Sequence, residues 1–303
     1  MSLNTEQEQV SAFLTYLQME RQASSYTVAN YAKDIEHFFA FFSEQGRETP
    51  LDQISYTDIR QYLRSLNENE YARKSVARKL SALRSFWNFL QREHAVRDNP
   101  FRFVSTPKAE QRLPVFFYED EMRAVIEGID QTTDLGKRNL AIVELLYAAG
   151  IRVSELTGIT VEDLDLAIGT LLVSGKGRKE RYVPVGSFAL DALENYLESA
   201  RPNLASKAAE QNDQLFLNYR GGPLTDRGVR KVLNAAVEDA ALKSRISPHV
   251  IRHTFATHML NEGADLRTVQ ELLGHKGLSA TQIYTHVTKD RLREVYRNSH
   301  PRA

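Results

Sequence analysis

A histidine and an arginine three residues apart, His249 and Arg252, are well placed in this sequence to bind one phosphate. On a helix that spacing puts both side chains on the same face, where they can converge on one ligand. Arginine presents a planar fork that suits phosphate, and histidine can donate or carry a proton near neutral pH. His275 follows, and Tyr284 comes nine residues after it. Basic donors followed by a phenol predict phosphoryl transfer to that tyrosine.

Two more basic residues with suitable settings lie far upstream of this stretch. Arg152 comes two residues after Gly150, which is typical of helix ends, and is predicted to lie in a short turn between two helices. Lys176 stands between two glycines in a turn that joins two predicted strands. Taken alone, each residue has an ordinary alternative: a surface ion pair, a solvated turn, a helix cap or, for Tyr284, packing in a short helix. Only their combination favours a reaction site.

Metal and nucleotide sites fit the sequence poorly. His249 and His253 have the spacing of a zinc-protease helix, but Val250 stands where that site needs its glutamate base. The 303 residues include no cysteine, which excludes disulfides, thiolate zinc ligands and a cysteine nucleophile. Lys176 also lacks the spacing and the following hydroxyl residue of a Walker A loop. We therefore expect neither a metal nor a cofactor.

Length and composition are those of an ordinary globular protein. With 42% hydrophobic and 26% charged residues, the chain is long enough for about two domains. The N-terminus lacks a signal segment, and the most apolar run, Leu140–Ile151, contains Glu144 and is too short to span a bilayer. We expect a soluble, cytoplasmic protein with no membrane partner. Because the formal net charge is zero, nucleic-acid binding would need a local basic cluster.

Such a cluster lies in the first predicted domain, residues 1–97. Four helical patterns indicate an all-helical bundle there, and residues 71–92 contain no acidic side chain. The candidate DNA-binding residues in this segment are Arg73, Lys74, Arg78, Lys79 and Arg84. We expect Arg73, Lys79 and Arg84 to share the outer side of the fourth helix. A solvated helix face without a ligand is an equal alternative.

Three prolines mark the boundary between the two predicted domains. Pro100, Pro107 and Pro114 prevent a continuous helix, so residues 98–115 are predicted to be an extended linker. The linker is either an ordinary connector or a segment that tracks an anionic partner. Residues 116–303 form the second domain, which opens with helices, continues with strand-like alternation and returns to helices. The fold class is therefore mainly α with a small antiparallel β-sheet in the second domain.

Together and in this order, these residues resemble the tyrosine recombinase (integrase) family, over the chain from Arg21 to its end. The segments that carry the resemblance are Ala149–Leu156, Gly175–Gly177, His249–Thr257, Leu272–His275 and Gln282–His286. One such segment is moderately specific, whereas all of them in order are very specific. Within the family, the sequence is most similar to the Xer branch, which resolves circular chromosome dimers. The segments that resemble this branch are Leu80–Phe86, Val269–Leu273 and His300–Ala303.

The resemblance implies a two-domain, C-shaped clamp, in which a helical core-binding domain precedes the tyrosine recombinase catalytic domain. It also implies that Tyr284 attacks a DNA phosphodiester and forms a 3′-phosphotyrosine, which keeps the bond energy and needs no cofactor. Arg152 and Arg252 would clamp the phosphate oxygens. The supporting residues would be His249 and His275 as hydrogen-bonding groups, Lys176 as general acid and Glu155 as the carboxylate that orients the arginines. An ordinary helix-start charge is the alternative for Glu155.

The implied partners are double-stranded DNA and other recombinase protomers. The resemblance implies a homo- or hetero-tetramer on DNA that includes a second, XerD-like Xer recombinase, with a DNA translocase as activator. The target would be a dif-like site used during cell division, and the helix after Tyr284 would dock on a neighbouring protomer. An integrase or resolvase of a phage, plasmid or transposon is the alternative function. Strand-exchange and covalent-trapping assays would separate these functions from a type IB topoisomerase and from a non-enzymatic DNA-binding protein.

Overall fold

A computed structural model describes residues 6–47, 50–106, 116–175, 180–210, 212–240, 246–274 and 286–303, with the backbone alone over 286–291. The chain divides into two compact units, Met1–Arg112 and Leu113–Ala303. Each unit has its own hydrophobic core. In the described part of the chain, no helix is both long enough and apolar enough to cross a membrane.

The first unit is a bundle of helices. Its elements are α1 (Glu6–Met19), α2 (Ser25–Ser43), α3 (Tyr56–Glu68) and α4 (Arg73–Arg92). Local chemistry sets the helix starts. Ser24 caps α2 by accepting a hydrogen bond from the Thr27 amide (3.2 Å), and Ser55 and Asp58 bond reciprocally at the start of α3.

Aromatic rings fill the core of the first unit. Phe13, Phe38, Phe86 and Trp87 are completely buried, and the Phe38 and Trp87 rings meet edge to face with centroids 5.6 Å apart. Such edge contacts are the arrangement that aromatic quadrupoles favour. The helical spacing of apolar residues on α4 predicted this inward face correctly. The core residues of α4 therefore fix which side of the helix faces solvent.

The segment after α4 packs on the same bundle. Phe101 is completely buried and Val104 is 7% exposed, both within the first core. Their carbonyl oxygens accept hydrogen bonds from Arg84 Nε (3.2 Å to Phe101) and Arg84 Nη2 (2.9 Å to Val104). The structure thus differs from the prediction of an extended linker from residue 98. Proline stops a helix, but it does not stop the chain from packing apolar side chains.

The second unit combines helices with one small sheet. Its helices are α5 (Glu119–Glu127), α6 (Asp134–Ala149), α7 (Val153–Leu156), α8 (Ser187–Asn195), α9 (Arg201–Ala205), α10 (Asp226–Asp239), α11 (Pro248–Asn261), α12 (Leu266–Leu273) and α13 (His286–Ser299), with a 3₁₀ turn at Val161–Asp163 and a π-helical turn at Tyr196–Ala200. The strands β1 (Leu164–Asp165), β2 (Thr170–Ser174) and β3 (Glu180–Pro184) pair antiparallel in the order β1-β2-β3. The predicted fold class, mainly α with a small antiparallel sheet, is confirmed.

Helix α6 is the centre of the second unit. All of its residues from Leu140 to Ala149 are buried, so α8 and α11 can pack against it. The helix ends at Gly150, whose φ of +57° is the left-handed conformation that glycine adopts without steric cost. A Cβ at Gly150 would lie 2.5 Å from Phe255 Cδ1 of α11. The close approach of α11 to this helix end therefore depends on a glycine.

The last helix, α13, packs on its own unit. Tyr296 is 2% exposed and lies with Phe255 and Met259 of α11 in a small separate cluster. Beyond the helix, the Arg302 guanidinium binds both carboxylate oxygens of the buried Glu144, with Nε 2.9 Å from Oε2. In this single chain the helix predicted to dock on a neighbouring protomer is thus placed against the chain's own second unit.

Candidate active site

The C-terminal end of α12 gathers three arginine side chains from three other elements. Three consecutive main-chain carbonyl oxygens each accept one hydrogen bond from a different guanidinium. The pairs are Arg181 Nε to Leu272 O at 3.1 Å, Arg252 Nη2 to Leu273 O at 2.6 Å, and Arg152 Nη2 to Gly274 O at 3.4 Å. The last carbonyls of a helix have no partner within the helix and carry the negative end of its dipole, which favours cations there. The helix end is therefore a natural anchor for arginines.

Arg252 is the most deeply buried of the three arginines, at 8% exposure. Its Nη1 donates to the carbonyl of Gly150 (2.7 Å), so its fork joins the ends of α6 and α12. Burial lowers the pKa of Arg252 to about 10, with the charges of Arg152 and Arg181 acting in the same direction and Glu155 opposing them. At neutral pH the group still carries its full positive charge. Because this cation is buried, an incoming anion would interact with it strongly.

Arg152 lies at the start of α7, directly after the turn that ends α6. Its main-chain amide donates to Glu155 Oε2 (2.9 Å) and its Nη1 to Oε1 (2.7 Å), so one carboxylate holds both ends of the residue. The side chain remains 38% exposed. The local sequence explains this arrangement, because a glutamate three residues into a helix commonly bonds back to the residue before it. The Arg152 side chain is therefore partly exposed at the helix end where Arg252 is buried.

Glu155 is the carboxylate that balances this cluster. Its side chain is 4% exposed and accepts hydrogen bonds from Arg152 and, at 3.1 and 2.9 Å, from both terminal nitrogens of Arg181. Burial alone would raise the pKa of Glu155, but the hydrogen bonds from Arg181 and Arg152 lower it below its ordinary value. Three guanidinium charges and one carboxylate leave an excess of two positive charges among these residues. The cluster is electrostatically suited to a phosphate diester.

Arg181 is a member of the cluster that the sequence did not single out. It lies on β3, opposite Val173 of β2, and its side chain is 10% exposed. A signal existed in the alternation of the strand, since Arg181 and the buried Val183 share one face of β3. An arginine on the inner face of a strand needs a carboxylate or carbonyl partner.

The remaining predicted site residues are divided between described and undescribed parts of the chain. His249 is the second residue of α11 and is exposed, with Arg252 one turn further along the same helix. Ser247 caps this helix and Pro248 lies in its first turn, where proline is favoured. Lys176, His275 and Tyr284 lie outside the described residues. In the sequence His275 directly follows Gly274, whose carbonyl accepts the bond from Arg152.

The predicted DNA-binding residues on α4 occupy two different environments. Arg73, Lys74 and Arg78 are exposed. Lys79, expected on the outer side, is instead 5% exposed, with its Nζ 3.5 Å from Asp34 Oδ1 and over the ring of Tyr71. Asp34 is also buried and binds Arg78 as well. The outer placement of Lys79 is therefore wrong, because a buried carboxylate on α2 draws its ammonium inward.

Arg84 is also turned towards the protein. It is partly buried, and its guanidinium binds the carbonyls of Phe101 and Val104. Its charge fixes the segment after α4 to the bundle. Of the expected basic residues, those in the first part of α4 (Arg73, Lys74 and Arg78) are exposed. Lys79 and Arg84 make contacts within the protein instead.

Metal ligation has no candidate within the residues that the structure describes: no three histidine or acidic side chains there form a group that could hold an ion. The arginine cluster offers different chemistry. Guanidinium groups fixed by main-chain acceptors can stabilise negative charge as it develops on phosphate oxygens, without reorganising when the charge appears.

Comparison with known proteins identifies the family. The sequence matches the Phage integrase family over residues 115–291 and the Phage integrase, N-terminal SAM-like domain over residues 10–94. It is 55% identical to tyrosine recombinase XerC of Halalkalibacterium halodurans over 296 residues, 97% of each chain. It is 50% identical to tyrosine recombinase XerC of Bacillus subtilis over 294 residues, 97% of this chain and 96% of the relative.

A solved structure agrees with these relatives. The crystal structure of the XerH site-specific recombinase bound to palindromic difH substrate, a post-cleavage complex, superposes with a TM-score of 0.70 at 25% identity over 97% of this chain and 89% of that one. The chain therefore belongs to the phage integrase family of tyrosine recombinases. Its activity is that of a site-specific DNA recombinase of the Xer type. The resemblance to the Xer branch inferred from the sequence is confirmed, since these relatives are tyrosine recombinases XerC.

Proposed function

We propose that this recombinase cuts DNA with Tyr284 and keeps the broken strand as a 3′-phosphotyrosine. The tyrosine oxygen forms a bond to phosphorus while the bond from phosphorus to the 5′ oxygen breaks. The phenolic proton passes to His249, and the departing 5′ oxygen takes a proton from Lys176, so charge and protons balance without a cofactor. Attack by a 5′ hydroxyl of another strand reverses the step and rejoins the DNA.

The observation that carries this proposal is the convergence of Arg152 and Arg252 on the end of α12. Arg252 is held by the carbonyls of Gly150 and Leu273. Arg152 is held by Glu155 and by the carbonyl of Gly274, and its side chain is partly exposed. In the proposed reaction they bind the non-bridging oxygens of the scissile phosphate, where charge grows in the transition state. His275 adds a hydrogen bond to the same oxygens. Glu155 orients the arginines.

We further propose that the first unit binds the DNA backbone through α4. Arg73, Lys74 and Arg78 are exposed on its first half and suit phosphate contacts. Lys79 and Arg84 support this surface from inside: Lys79 shares Asp34 with Arg78, and Arg84 fixes the following segment.

The biological role that fits these relatives is the resolution of chromosome dimers at a dif-like site during cell division. The XerC relatives and the XerH complex with difH support it. The proposal includes a cytoplasmic location, a tetramer on double-stranded DNA with a second, XerD-like recombinase, and activation by a DNA translocase. It also includes docking of α13 on a neighbouring protomer, which would require α13 to leave its contacts with Phe255 and Met259.

Covalent trapping on a nicked suicide substrate tests the chemistry. Wild-type protein is expected to accumulate a protein–DNA adduct, and Tyr284→Phe to form none while binding the DNA unchanged. Tyr296→Phe is the matched control, since this tyrosine is buried against α11, and its adduct should persist. Adduct formation by Tyr284→Phe would contradict the assignment of the nucleophile. Sequencing the trapped DNA separates a dif-like site with inverted arms from the attachment sites of a phage, plasmid or transposon element.

The general-acid role of Lys176 has its own test. A substrate whose 5′ leaving oxygen is replaced by sulfur gives a thiolate, which leaves without a proton. Lys176→Ala should cut the ordinary substrate slowly and the sulfur substrate at close to the wild-type rate. Equal loss on both substrates would exclude proton donation by Lys176.

A further inference from the structure

Arg181 makes more contacts with the arginine cluster than a packing role requires. Its two terminal nitrogens bind both oxygens of Glu155, and its Nε binds the carbonyl of Leu272. All three bonds lie within 3.1 Å, and the side chain is 10% exposed. This is the bidentate geometry in which arginine and carboxylate interact most strongly. Arg181 thus joins three elements, namely β3, α7 and α12.

The pairing of Arg181 with Glu155 determines how Arg152 can bind. The Glu155 carboxylate accepts four hydrogen bonds. Two come from Arg181, one from the Arg152 amide and one from Arg152 Nη1. Because Arg181 takes both oxygens, Arg152 makes a single side-chain bond to the carboxylate instead of a fork-to-fork pair. The Arg152 side chain as a whole is 38% exposed. Without Arg181, a second bond from Arg152 to Glu155 would turn its fork away from a phosphate.

The end of α12 adds a second constraint. A Cβ placed on Gly274, where φ is +64°, would lie 3.1 Å from the Arg181 guanidinium carbon, so the two groups are already in close contact. Arg181 also lies at the base of the β2–β3 connection, the part of the sequence that includes Lys176. A shift of β3 would therefore be transmitted to Glu155 and to the last turn of α12.

We propose that Arg181 is a positioning residue for strand cleavage: by holding Glu155 and Leu272, it keeps the Arg152 fork directed at the scissile phosphate. The inference rests on the proposed role of Arg152 in binding that phosphate. Arg181 itself touches no reacting atom in this arrangement.

Single-turnover cleavage of the nicked suicide substrate provides the measurement. Arg181→Gln should lower the cleavage rate about 100-fold, the loss typical of a catalytic group displaced by about 1 Å. Its affinity for the same DNA, measured by fluorescence anisotropy, should stay within about twofold of wild type, because the exposed phosphate-binding surface is unchanged. Arg267→Gln is the matched control: it removes an arginine that is 71% exposed on α12 and should cleave at the wild-type rate.

A double-mutant cycle distinguishes positioning from general support of the fold. The Arg152→Lys variant has no guanidinium at position 152 for Arg181 to position. In that background, Arg181→Gln should lower the cleavage rate by less than about threefold. If Arg181 only supported the fold, its substitution would lower the cleavage rate by the same factor in both backgrounds. Equal losses in the two backgrounds would overturn the inference.

A second variant covers the case in which Arg181→Gln does not fold. Arg181→Lys keeps the charge and the packing of the stem but cannot reach both Glu155 oxygens and Leu272 at once. It should retain cooperative thermal unfolding and still lose cleavage, and cleavage at the wild-type rate would overturn the inference. If wild-type protein itself forms no adduct, the proposed function fails as well. An adduct from wild type together with undiminished cleavage by the Arg181 variants contradicts the Arg181 role alone.

Discussion

Arg152 and Arg252 bind neighbouring carbonyl oxygens at the end of α12, at 3.4 Å from Gly274 O and 2.6 Å from Leu273 O. The two arginines are 100 positions apart in the sequence, and both bind a third element. A short helix that contributes no charged group of its own to these bonds brings them together. The proposed phosphate clamp is therefore held by main-chain atoms of a third element.

Glu155→Gln should destabilise the second unit. The variant leaves Arg152 and Arg181 without their buried carboxylate, a loss that costs about 3 kcal/mol in free energy of unfolding. Because folding lowers the pKa of Glu155 below its ordinary value of 4.5, its contribution is complete above that pH and is lost as the pH falls through the folded pKa. The difference between wild type and variant should therefore be largest near neutral pH and shrink below pH 4.5. Urea denaturation followed by circular dichroism checks this.

Glu194→Gln is the control for that experiment. It removes an exposed carboxylate on α8 of the same unit and should change the free energy of unfolding by less than about 0.5 kcal/mol at either pH. A Glu155→Gln difference that grew at acid pH would contradict the ion pairing described above.

Gly274→Ala should reduce cleavage as well as stability. A side chain there is strained by the left-handed backbone, which costs about 1–2 kcal/mol, and also presses on the Arg181 guanidinium. Gly263→Ala is the matched control, since Gly263 also has a positive φ (+91°) but a Cβ there would meet nothing within 4 Å. Both variants should unfold at lower urea concentration, and only Gly274→Ala should slow single-turnover cleavage. Equal cleavage rates would show that backbone strain alone matters at position 274.

Asp34→Asn should destabilise the first unit. Asp34 is 1% exposed and compensates the charges of both Lys79 and Arg78, and burial already lowers the pKa of Lys79. Removing the carboxylate from such a buried pair costs about 3 kcal/mol in free energy of unfolding. The chain has a single tryptophan, Trp87, which is completely buried in this unit, so its fluorescence reports the transition directly.

Glu68→Gln serves as the comparison for Asp34→Asn. Glu68 pairs with Arg64 on the surface of α3, where both side chains are more than half exposed, so the change should be below about 1 kcal/mol. Adding Lys79→Met to Asp34→Asn should restore part of the lost stability, because the uncompensated ammonium is then removed. No recovery would mean that Lys79 is not the residue that depends on Asp34.

Two lysines on one helix should differ in their effect on DNA binding. Lys74 is exposed, whereas Lys79 is buried beside Asp34. If α4 lies along the DNA backbone, Lys74→Met should weaken binding and reduce the slope of log affinity against log salt by about one. Lys79→Met should leave that slope unchanged, because the buried ammonium cannot contact a DNA phosphate. Fluorescence anisotropy over a salt series decides, and equal slopes for the two variants would contradict the assignment of this surface.

The sequence predicted those parts of the fold that local chemistry determines. The apolar spacing of α4 and α6 and the glycine that ends α6 depend on residues within a few positions of each other. Arg152 was recognisable for the same reason, since the helix end and the helix start on either side of it fix its position.

The predicted and observed environments differ for residues whose contacts are distant in the sequence. Lys79 lies six residues after Arg73, about 120° around the helix, and is drawn inward by an aspartate on another helix. Arg84 lies eleven residues after Arg73 and about in line with it, but is bound by carbonyls of a segment that was interpreted as a linker. Arg181 depends on Glu155 and Leu272, which no local pattern connects to it.

The three acceptors at the end of α12 are main-chain oxygens, and this has a consequence for how the protein can change over evolutionary time. Replacing the side chains of Leu272 and Leu273 leaves their carbonyl groups in place, provided that the last turn remains helical. The acceptors can therefore persist while the surrounding sequence drifts. We expect mutational sensitivity to be concentrated instead in the three donors, in Glu155 and in the glycines at positions 150 and 274, where the left-handed backbone strains any side chain and a Cβ would press on Phe255 or Arg181.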